Sequence, residues 1–290
     1  MSEKYPEMIS FSYECIPCAM GSVINLIKND IAAPEKREPL IKEVLRFLSD
    51  VSFDQSPIEM GRDLHRLIRE FLGDADPYAA LKQKFNSLLL ERYDELTQFV
   101  QESDRPFKAA LRLAIAGNVI DFVANNNFDI HSTIEKAKTV KLAIDDSEKL
   151  EEDIQSAETI LYLADNAGEI VLDRILLQTM KHPRVYFAVR GNPVINDATR
   201  QDAEQIGLGE LVKIIDNGDD APGTILPDTS AEFKKIFYDA DLIISKGQGN
   251  FESLMYCHRP LYFILMAKCD HVAKILGVNK GDFIVKKSVG

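Results

Sequence analysis

Asp165-Asn166-Ala167-Gly168-Glu169 follows directly on the apolar run Ile160–Ala164. An apolar run that ends in an acid, an amide, a glycine and a second acid is the pattern of a buried parallel strand with a polar site at its carboxyl end. Open α/β sheets bind ligands there. Asp165 and Asn166 are hard oxygen donors, the kind that hold Mg²⁺ or Mn²⁺.

Three later apolar runs end in a similar way. Val185–Val189 leads to Arg190-Gly-Asn192-Pro-Val-Ile-Asn196-Asp197, and Val212–Ile215 to Asp216-Asn217-Gly218-Asp219-Asp220. Leu242–Ser245 leads to Lys246-Gly247-Gln248-Gly249-Asn250-Phe-Glu252. In a parallel sheet these ends share one edge, so residues far apart in sequence converge on one crevice. Asp165, Asn166 and Asp197 supply two carboxylates and an amide carbonyl, a set for a divalent ion with positions left for water and substrate. Arg190 and Lys246 are cations matched to a phosphate. Gly247 and Gly249 let backbone N–H groups approach an anion, and a helix expected from about Asn250 points its amino terminus there. Glu169 could orient or deprotonate a water on the ion. The chemistry that results is metal-assisted phosphoester hydrolysis, with Asp165, Glu169 and Asp197 as its catalytic residues. Asn166, Arg190, Asn196, Lys246, Gly247, Gly249 and Asn250 are the candidate substrate contacts.

Each piece alone has a plainer reading. Asp165-Asn166-Ala-Gly could be a turn and a helix cap, and a single lysine is most often solvated. Gly247-Gln-Gly249 falls short of a dinucleotide fingerprint, because Glu252 stands at the place of its third glycine. There is no Walker-type phosphate loop. Asp165-Asn166-Ala167 is also not the Asp-x-Asp of haloacid-dehalogenase-like phosphatases, which disfavours an aspartyl-phosphate route.

The elements that must position these residues fall into two halves. From Glu14 to about Ser103 the apolar residues recur with helical period: Leu40, Val44, Leu45 and Leu48, then Leu64, Leu67, Ile68 and Phe71. Asp76-Pro77-Tyr78 opens a long helix through Leu81, Phe85, Leu88, Leu89 and Tyr93. A further helix runs from Pro106 through Leu111, Leu113, Ile115 and Ile120. After about Thr159 short apolar runs alternate with helical stretches such as Ile170–Met180 and Ala231–Asp239, and Leu261–Met266 and Phe283–Val285 complete the set of strands. This predicts a doubly wound, mainly parallel α/β/α sheet of Rossmann-like type, preceded by an all-helical amino-terminal domain. The expected division is residues 1–103 and 104–290. The acidic stretch Asp145–Asp153 is expected as a solvated helix face.

The whole chain has 290 residues, 46% of them hydrophobic and 28% charged, an ordinary globular mixture. Its 46 acids outnumber 34 bases, for a net charge of −12. An acidic chain without a basic cluster is no general nucleic-acid binder, but a bound metal can still attract one small anion. No apolar stretch reaches the roughly 20 residues that span a bilayer, and the polar amino terminus lacks a signal core. The expectation is a cytoplasmic protein with no nucleic-acid or membrane partner, acting on a small phosphorylated metabolite. Oligomeric state is not legible. Four cysteines, two of them in Cys15-Ile-Pro-Cys18, make no disulfide framework at this size. Cys15 and Cys18 are half of a possible second metal site, with Cys257, His258, Cys269 and His271 as partners if the fold brings them close. The plainer reading is two structural cysteines near a helix start, and His65 and His131 read as isolated surface or core residues.

Asp165-Asn166-Ala-Gly-Glu169, Gly-Asn-Pro-Val-Ile-Asn196-Asp197-Ala-Thr and Lys246-Gly-Gln-Gly-Asn250-Phe-Glu together resemble the metal-dependent damage-control phosphatase family. Cys15-x-x-Cys18 and Ala116-Gly117-Asn118-x-x-Asp121 resemble its nucleotide-phosphatase branch I. The resemblance implies a helical domain beside an α/β/α domain. It implies a divalent metal, Mn²⁺ or Ni²⁺ often over Mg²⁺, on Asp165, Asn166 and Asp197. It implies a substrate-phosphate contact at Lys246, adds Asn118 to the substrate contacts, and suggests damaged purine nucleotides or related phosphometabolites as substrates. Two alternatives stay open: carboxyl methyl transfer from S-adenosylmethionine, proposed for eukaryotic relatives, and a non-enzymatic phosphometabolite-binding module.

Overall fold

The computed structural model describes residues 7–117, 135, 137–139 and 141–288. Asn118, Asp121 and His131 lie outside the described residues. Among the described residues the amino-terminal half is helical: α1 (Cys15–Lys28), α2 (Pro34–Ser49), α3 (Pro57–Leu72), α4 (Ala79–Leu90), α5 (Tyr93–Gln101) and α6 (Pro106–Gly117). Local chemistry fixes the ends of α3. Ser56 and Glu59 form a reciprocal capping box, Pro57 occupies the first turn, and Gly73 closes the helix in the left-handed region at φ 70°.

The long helix expected through Tyr93 is two helices, α4 and α5. Arg92 leaves helical geometry between them (φ −112°, ψ 8°). Apolar periodicity does not register the break, because Phe85 and Leu89 before it and Leu96 and Val100 after it enter the same core.

The second half contributes β1 (Leu142–Asp145), α7 (Ser147–Ser156), β2 (Ile160–Leu163), α8 (Glu169–Met180), β3 (Val185–Val189), α9 (Arg200–Gln205) and β4 (Lys213–Asp216). They are followed by α10 (Ala231–Asp239), β5 (Leu242–Lys246), α11 (Gln248–Leu254), β6 (Leu261–Met266), α12 (Asp270–Leu276) and β7 (Phe283–Lys287). The seven strands form one mixed sheet in the order β1-β7-β6-β5-β2-β3-β4. Strands β2 to β6 are mutually parallel, whereas β7 runs antiparallel to β6 and pairs in parallel with β1.

Strand β1 was not expected. It is a four-residue edge strand of alternating half-buried and exposed residues beside an acidic stretch. That stretch forms α7, which buries Leu150 and Ile154.

Alternation along the central strands fills two cores. Ile160 and Tyr162 of β2, Phe187 of β3 and Ile244 of β5 face one side, where they meet α4–α6 and α8. Leu161, Leu163, Ala188 and Ile243 face the other, where they meet Phe233 and Phe237 of α10 and Phe251 of α11. Helices α1–α3 close a third, separate cluster around Val23, Leu26, Leu40, Val44 and Leu64. The result is a mixed α/β fold with a mainly parallel sheet. Among the described residues no helix is long and apolar enough to cross a membrane.

Strand β2 has β3 on one side and β5 on the other, and the order of connection reverses between β2 and β5. This is the topological switch point, where a doubly wound sheet opens a crevice at its carboxyl edge. Asp165 and Lys246 are the residues the chain places there.

Candidate functional site

Two turns are stitched together above β2. The Ala167 N–H donates to the carbonyl of Asn196 at 2.8 Å, and the Ala198 N–H to that of Asp165 at 2.8 Å. Asn166 and Asp197 therefore face each other as an isolated antiparallel bridge. The backbone brings Asp165, Asn166 and Asp197 together, although 32 positions separate Asp165 from Asp197 in the chain. Ile195, just before them, sits at φ 45°. That is a strained conformation for a β-branched residue, and its side chain packs against the α1–α3 cluster.

The Asn166 amide nitrogen donates to Asp165 Oδ2 at 2.8 Å and to Glu169 Oε2 at 3.2 Å. Glu169 in turn accepts from Lys246 Nζ at 2.6 Å. The same ammonium donates to Asp173 at 2.6 Å and to the Ala114 carbonyl at 3.3 Å. Tyr162 completes this layer by donating to Asp173 at 2.8 Å. Lys246, Glu169 and Asp173 are wholly buried. All three ammonium hydrogens of Lys246 have protein acceptors, so a substrate phosphate would compete with two carboxylates for it.

Arg190 enters from β3. Its Nε donates to Asp197 Oδ2 at 2.7 Å, and its Nη1 to the Gly223 carbonyl at 2.7 Å and to Asn250 Oδ1 at 3.2 Å. Its Nη2 is buried with no hydrogen-bond partner. A guanidinium nitrogen left over in a buried site is a donor waiting for an acceptor. Asn250 is a hub. It donates to the carbonyls of Ala164 and Lys246 and accepts from Arg190 and from Thr224 Oγ1, so its whole hydrogen-bonding capacity is used inside the protein.

Gly247 and Gly249 are dictated by close approach. Gly247 sits at φ 82°, and a methyl group there would run into the Asp165 carboxyl; at Gly249 it would strike the Pro222 carbonyl. Helix α11 starts at Gln248, two residues earlier than expected.

The charge balance of this group is uneven. Four carboxylates (Asp165, Glu169, Asp173 and Asp197) share it with two cations (Arg190 and Lys246), and none of the six is more than 7% exposed. The imbalance is visible in their acidity. Burial and the neighbouring Glu169 push Asp165 up to about 7. Burial raises Asp173 to about 6 against the pull of Lys246, and burial also raises Asp197 although Arg190 opposes it. Burial works against the charged form of Lys246, yet Asp173 and Glu169 outweigh it and hold its pKa above the ordinary value.

Helix α3 covers this edge. Arg66 and Arg69 both engage Asp220 on the loop after β4, and Arg69 also donates to the Pro193 carbonyl at 2.6 Å. Ile58 at the start of α3 lies against Gly223 and Gly249.

The cysteines stand apart from the carboxylate group. All four are free. Cys15 and Cys18 open α1, and partial burial, with the Glu252 carboxyl as a further cause, pushes the Cys15 thiol up. Cys269 Sγ and Glu252 Oε1 accept from one donor, Gln248 Nε2, at 3.5 and 2.8 Å, whereas Cys257 is buried in the core. Among the described residues no three His, Cys, Asp or Glu side chains converge as a ligand set. The Asp165, Asn166 and Asp197 set has two carboxylates and an amide.

Sequence reasoning missed Asp173, Tyr162 and Thr224, and also Lys82, Asn86 and Asp202. Asp173 carried a signal, as an acid inside the apolar stretch Ile170–Leu177 and one turn after Glu169. Lys82 and Asn86 carried another, as two polar residues one turn apart on the buried side of α4.

The fold and site are those of a mixed α/β protein with a buried group of carboxylates at the switch point of its sheet. Residues 11–284 match the Damage-control phosphatase ARMT1-like domain, and the chain belongs to that family. It is similar to the damage-control phosphatase of Pyrococcus horikoshii, at 34% identity over 95% of this chain and 97% of that protein. It is similar also to the damage-control phosphatase of Archaeoglobus fulgidus, at 32% identity over 94% of this chain and 97% of that one. The crystal structure of a DUF89 family protein from P. horikoshii superposes with a TM-score of 0.83, at 33% identity over 97% of this chain and 100% of that one.

Proposed function

We propose that this protein is a metal-dependent phosphatase that hydrolyses phosphomonoesters of small metabolites, damaged purine nucleotides or sugar phosphates among them. The relatives named damage-control phosphatases support a phosphatase role. The observation that carries the metal is the charge balance. With every carboxyl ionised, four buried carboxylates against two buried cations leave two formal negative charges over, the charge that one Mn²⁺, Ni²⁺ or Mg²⁺ would balance. Asp165, with its carboxyl pushed up to about 7, belongs to the proposed ligand set.

In this reading Asp165, Asn166 and Asp197 hold the ion. When bound, it supplies Lewis-acid stabilisation of a phosphoryl group and of its attacking water. The unpartnered Arg190 Nη2 donates to a phosphate oxygen, and the pairing of Nε with Asp197 fixes the plane of the guanidinium. Glu169 receives the Asn166 amide and orients it, while Lys246 pairs with Glu169 and Asp173 behind it. We further read Cys15-x-x-Cys18 as placing the chain in the nucleotide-phosphatase branch I. We read the helical amino-terminal part as a roof on the pocket, which the arginine clamps of α3 and the separate core of α1–α3 support.

The test is turnover of p-nitrophenyl phosphate and a phosphometabolite panel by the purified protein, with Mn²⁺, Ni²⁺, Mg²⁺ or chelator, beside Asp165→Ala. Metal-dependent turnover that Asp165→Ala abolishes is expected. Full activity in chelator or in Asp165→Ala, or no turnover of any phosphoester, would sink the reading.

A further inference from the structure

The two turns that carry Asp165, Asn166 and Asp197 are also joined from below, by one side chain of the helical half. Asn86 of α4 is wholly buried. Its Oδ1 accepts the Gly168 N–H at 2.6 Å. Its Nδ2 donates to Gln205 Oε1 at 2.8 Å and to Asp202 Oδ1 at 3.3 Å. Gly168 is the second residue after Asn166, and Asp202 caps the helix that follows Asp197. The other oxygen of Asp202 accepts the Thr199 N–H at 2.9 Å and its hydroxyl at 2.6 Å. Asn86 therefore spans the gap between the turn after β2 and the turn after β3.

The turn it holds is one that glycine makes possible. Gly168 sits at φ 77°, ψ −58°, on the positive-φ side that a side chain would disfavour and glycine adopts readily. The strut itself is anchored. Lys82, one turn earlier on α4 and 2% exposed, pairs with Asp202 at 3.1 Å and with Asp76 at 2.7 Å. Asp202 is thus charge-compensated, and both donor positions of the Asn86 amide have acceptors. The hydrogen-bond pattern orients this amide in one way only, because Gly168 offers a donor and Asp202 and Gln205 offer acceptors.

We infer that Asn86 is a positioning residue that sets the spacing of the two ligand-bearing turns, and with it the affinity of the Asp165, Asn166 and Asp197 set for a divalent ion. The inference rests on the metal-dependent reading of the site. Asn86 touches neither ion nor substrate. It acts through Gly168 on one turn and through Asp202 on the other, as outer hydrogen bonds do at metal centres, where their loss typically weakens metal binding about 10- to 100-fold.

The experiment titrates Mn²⁺ into the purified full-length protein by calorimetry, and follows hydrogen exchange of the Gly168 amide. Asn86→Ala removes both arms of the strut. It is expected to weaken Mn²⁺ binding at least about tenfold and to release Gly168 to exchange, with kcat on p-nitrophenyl phosphate recovering at saturating metal. Asn86→Asp keeps an acceptor for Gly168 but sets a carboxylate oxygen against Asp202 and Gln205 where the amide donated, so it should hold Gly168 against exchange and still lose Mn²⁺ affinity as Asn86→Ala does. Should Asn86→Ala fail to fold, Asn86→Ser replaces it, being too short to reach Gly168. Unchanged Mn²⁺ affinity in a folded Asn86→Ala or Asn86→Ser, or a mere fall in melting temperature, overturns the positioning role while the metal reading stands. A wild type that binds no divalent ion overturns the metal reading, and this inference with it.

Discussion

Lys246 and Glu169 form an ion pair of 2.6 Å in which neither side chain has any solvent exposure. The ammonium also pairs with Asp173 at 2.6 Å, so one cation compensates two buried carboxylates. Removing one partner of a buried pair leaves an uncompensated charge and costs about 3–5 kcal/mol. Lys246→Met, which keeps the stem and deletes the charge, should destabilise the metal-free protein by that order. Urea unfolding measures it. A loss below about 1 kcal/mol would show that the two carboxyls protonate at little cost once the ammonium is gone.

Asp165 stands on the other side of the same balance. Burial and Glu169 raise it to about 7 because no cation in the site fully compensates it. Its charge is a burden to the metal-free protein and an asset to the loaded one. Asp165→Asn should therefore leave the protein in chelator at least as stable as the wild type at pH 8. It should also abolish the gain that Mn²⁺ gives the wild type, which is about 2.7 kcal/mol at a hundredfold excess over the dissociation constant. Paired thermal melts with and without Mn²⁺ decide this. An equal Mn²⁺ shift in both proteins would place the ion elsewhere.

Glu252 gives a pH dependence separate from the carboxylate group. Burial raises its carboxyl to about 7, although the hydrogen bond it accepts from Gln248 opposes the rise. A carboxyl whose folded pKa lies above its unfolded value near 4.3 binds more protons in the folded state across that window. It contributes stability in full below about pH 4.3 and loses it as pH rises towards 7. The loss is on the order of 3 kcal/mol across the window. Glu252→Gln, neutral at every pH, should remove this part of the slope and be more stable than the wild type at pH 8. Denaturant midpoints at pH 5 and pH 8 for both proteins test it; parallel changes in the two would refute it.

Much of this arrangement was legible in the sequence, for physical reasons. Ile160–Leu163, Val185–Val189 and Leu261–Met266 are covered on both faces, so almost every residue is apolar and the run announces itself. Asp165, Arg190 and Lys246 stood out because each ends such a run. Strand β1 did not, since an edge strand of four residues needs no apolar face of its own. The reversed direction of β7 leaves no trace in composition, because the same residues fit either pairing. The layer behind the ligands was hidden for a different reason. Asp173 and Asn86 lie on helices whose apolar period dominates the pattern, and only the fold shows that Lys246 and Gly168 meet them there.

Gly247 and Gly21 make a matched pair for the last prediction. Gly247 has φ 82° and ψ 161°, a region that only glycine occupies readily, and an added methyl group would collide with the Asp165 carboxyl. Strain of that kind costs about 1–3 kcal/mol, and the collision must also displace Asp165. Gly247→Ala should therefore lose both stability and Mn²⁺ affinity. Gly21 sits inside α1, where a methyl group would meet nothing within 4 Å beyond its own helix, and alanine there removes backbone entropy from the unfolded chain. Gly21→Ala should gain about 0.5–1 kcal/mol and leave Mn²⁺ affinity unchanged. Urea midpoints and Mn²⁺ titrations of the two variants separate the effects. If Gly247→Ala binds Mn²⁺ as tightly as the wild type, Asp165 is free to move away from the β5–α11 turn, and the close contact between the two residues does not constrain the ligand.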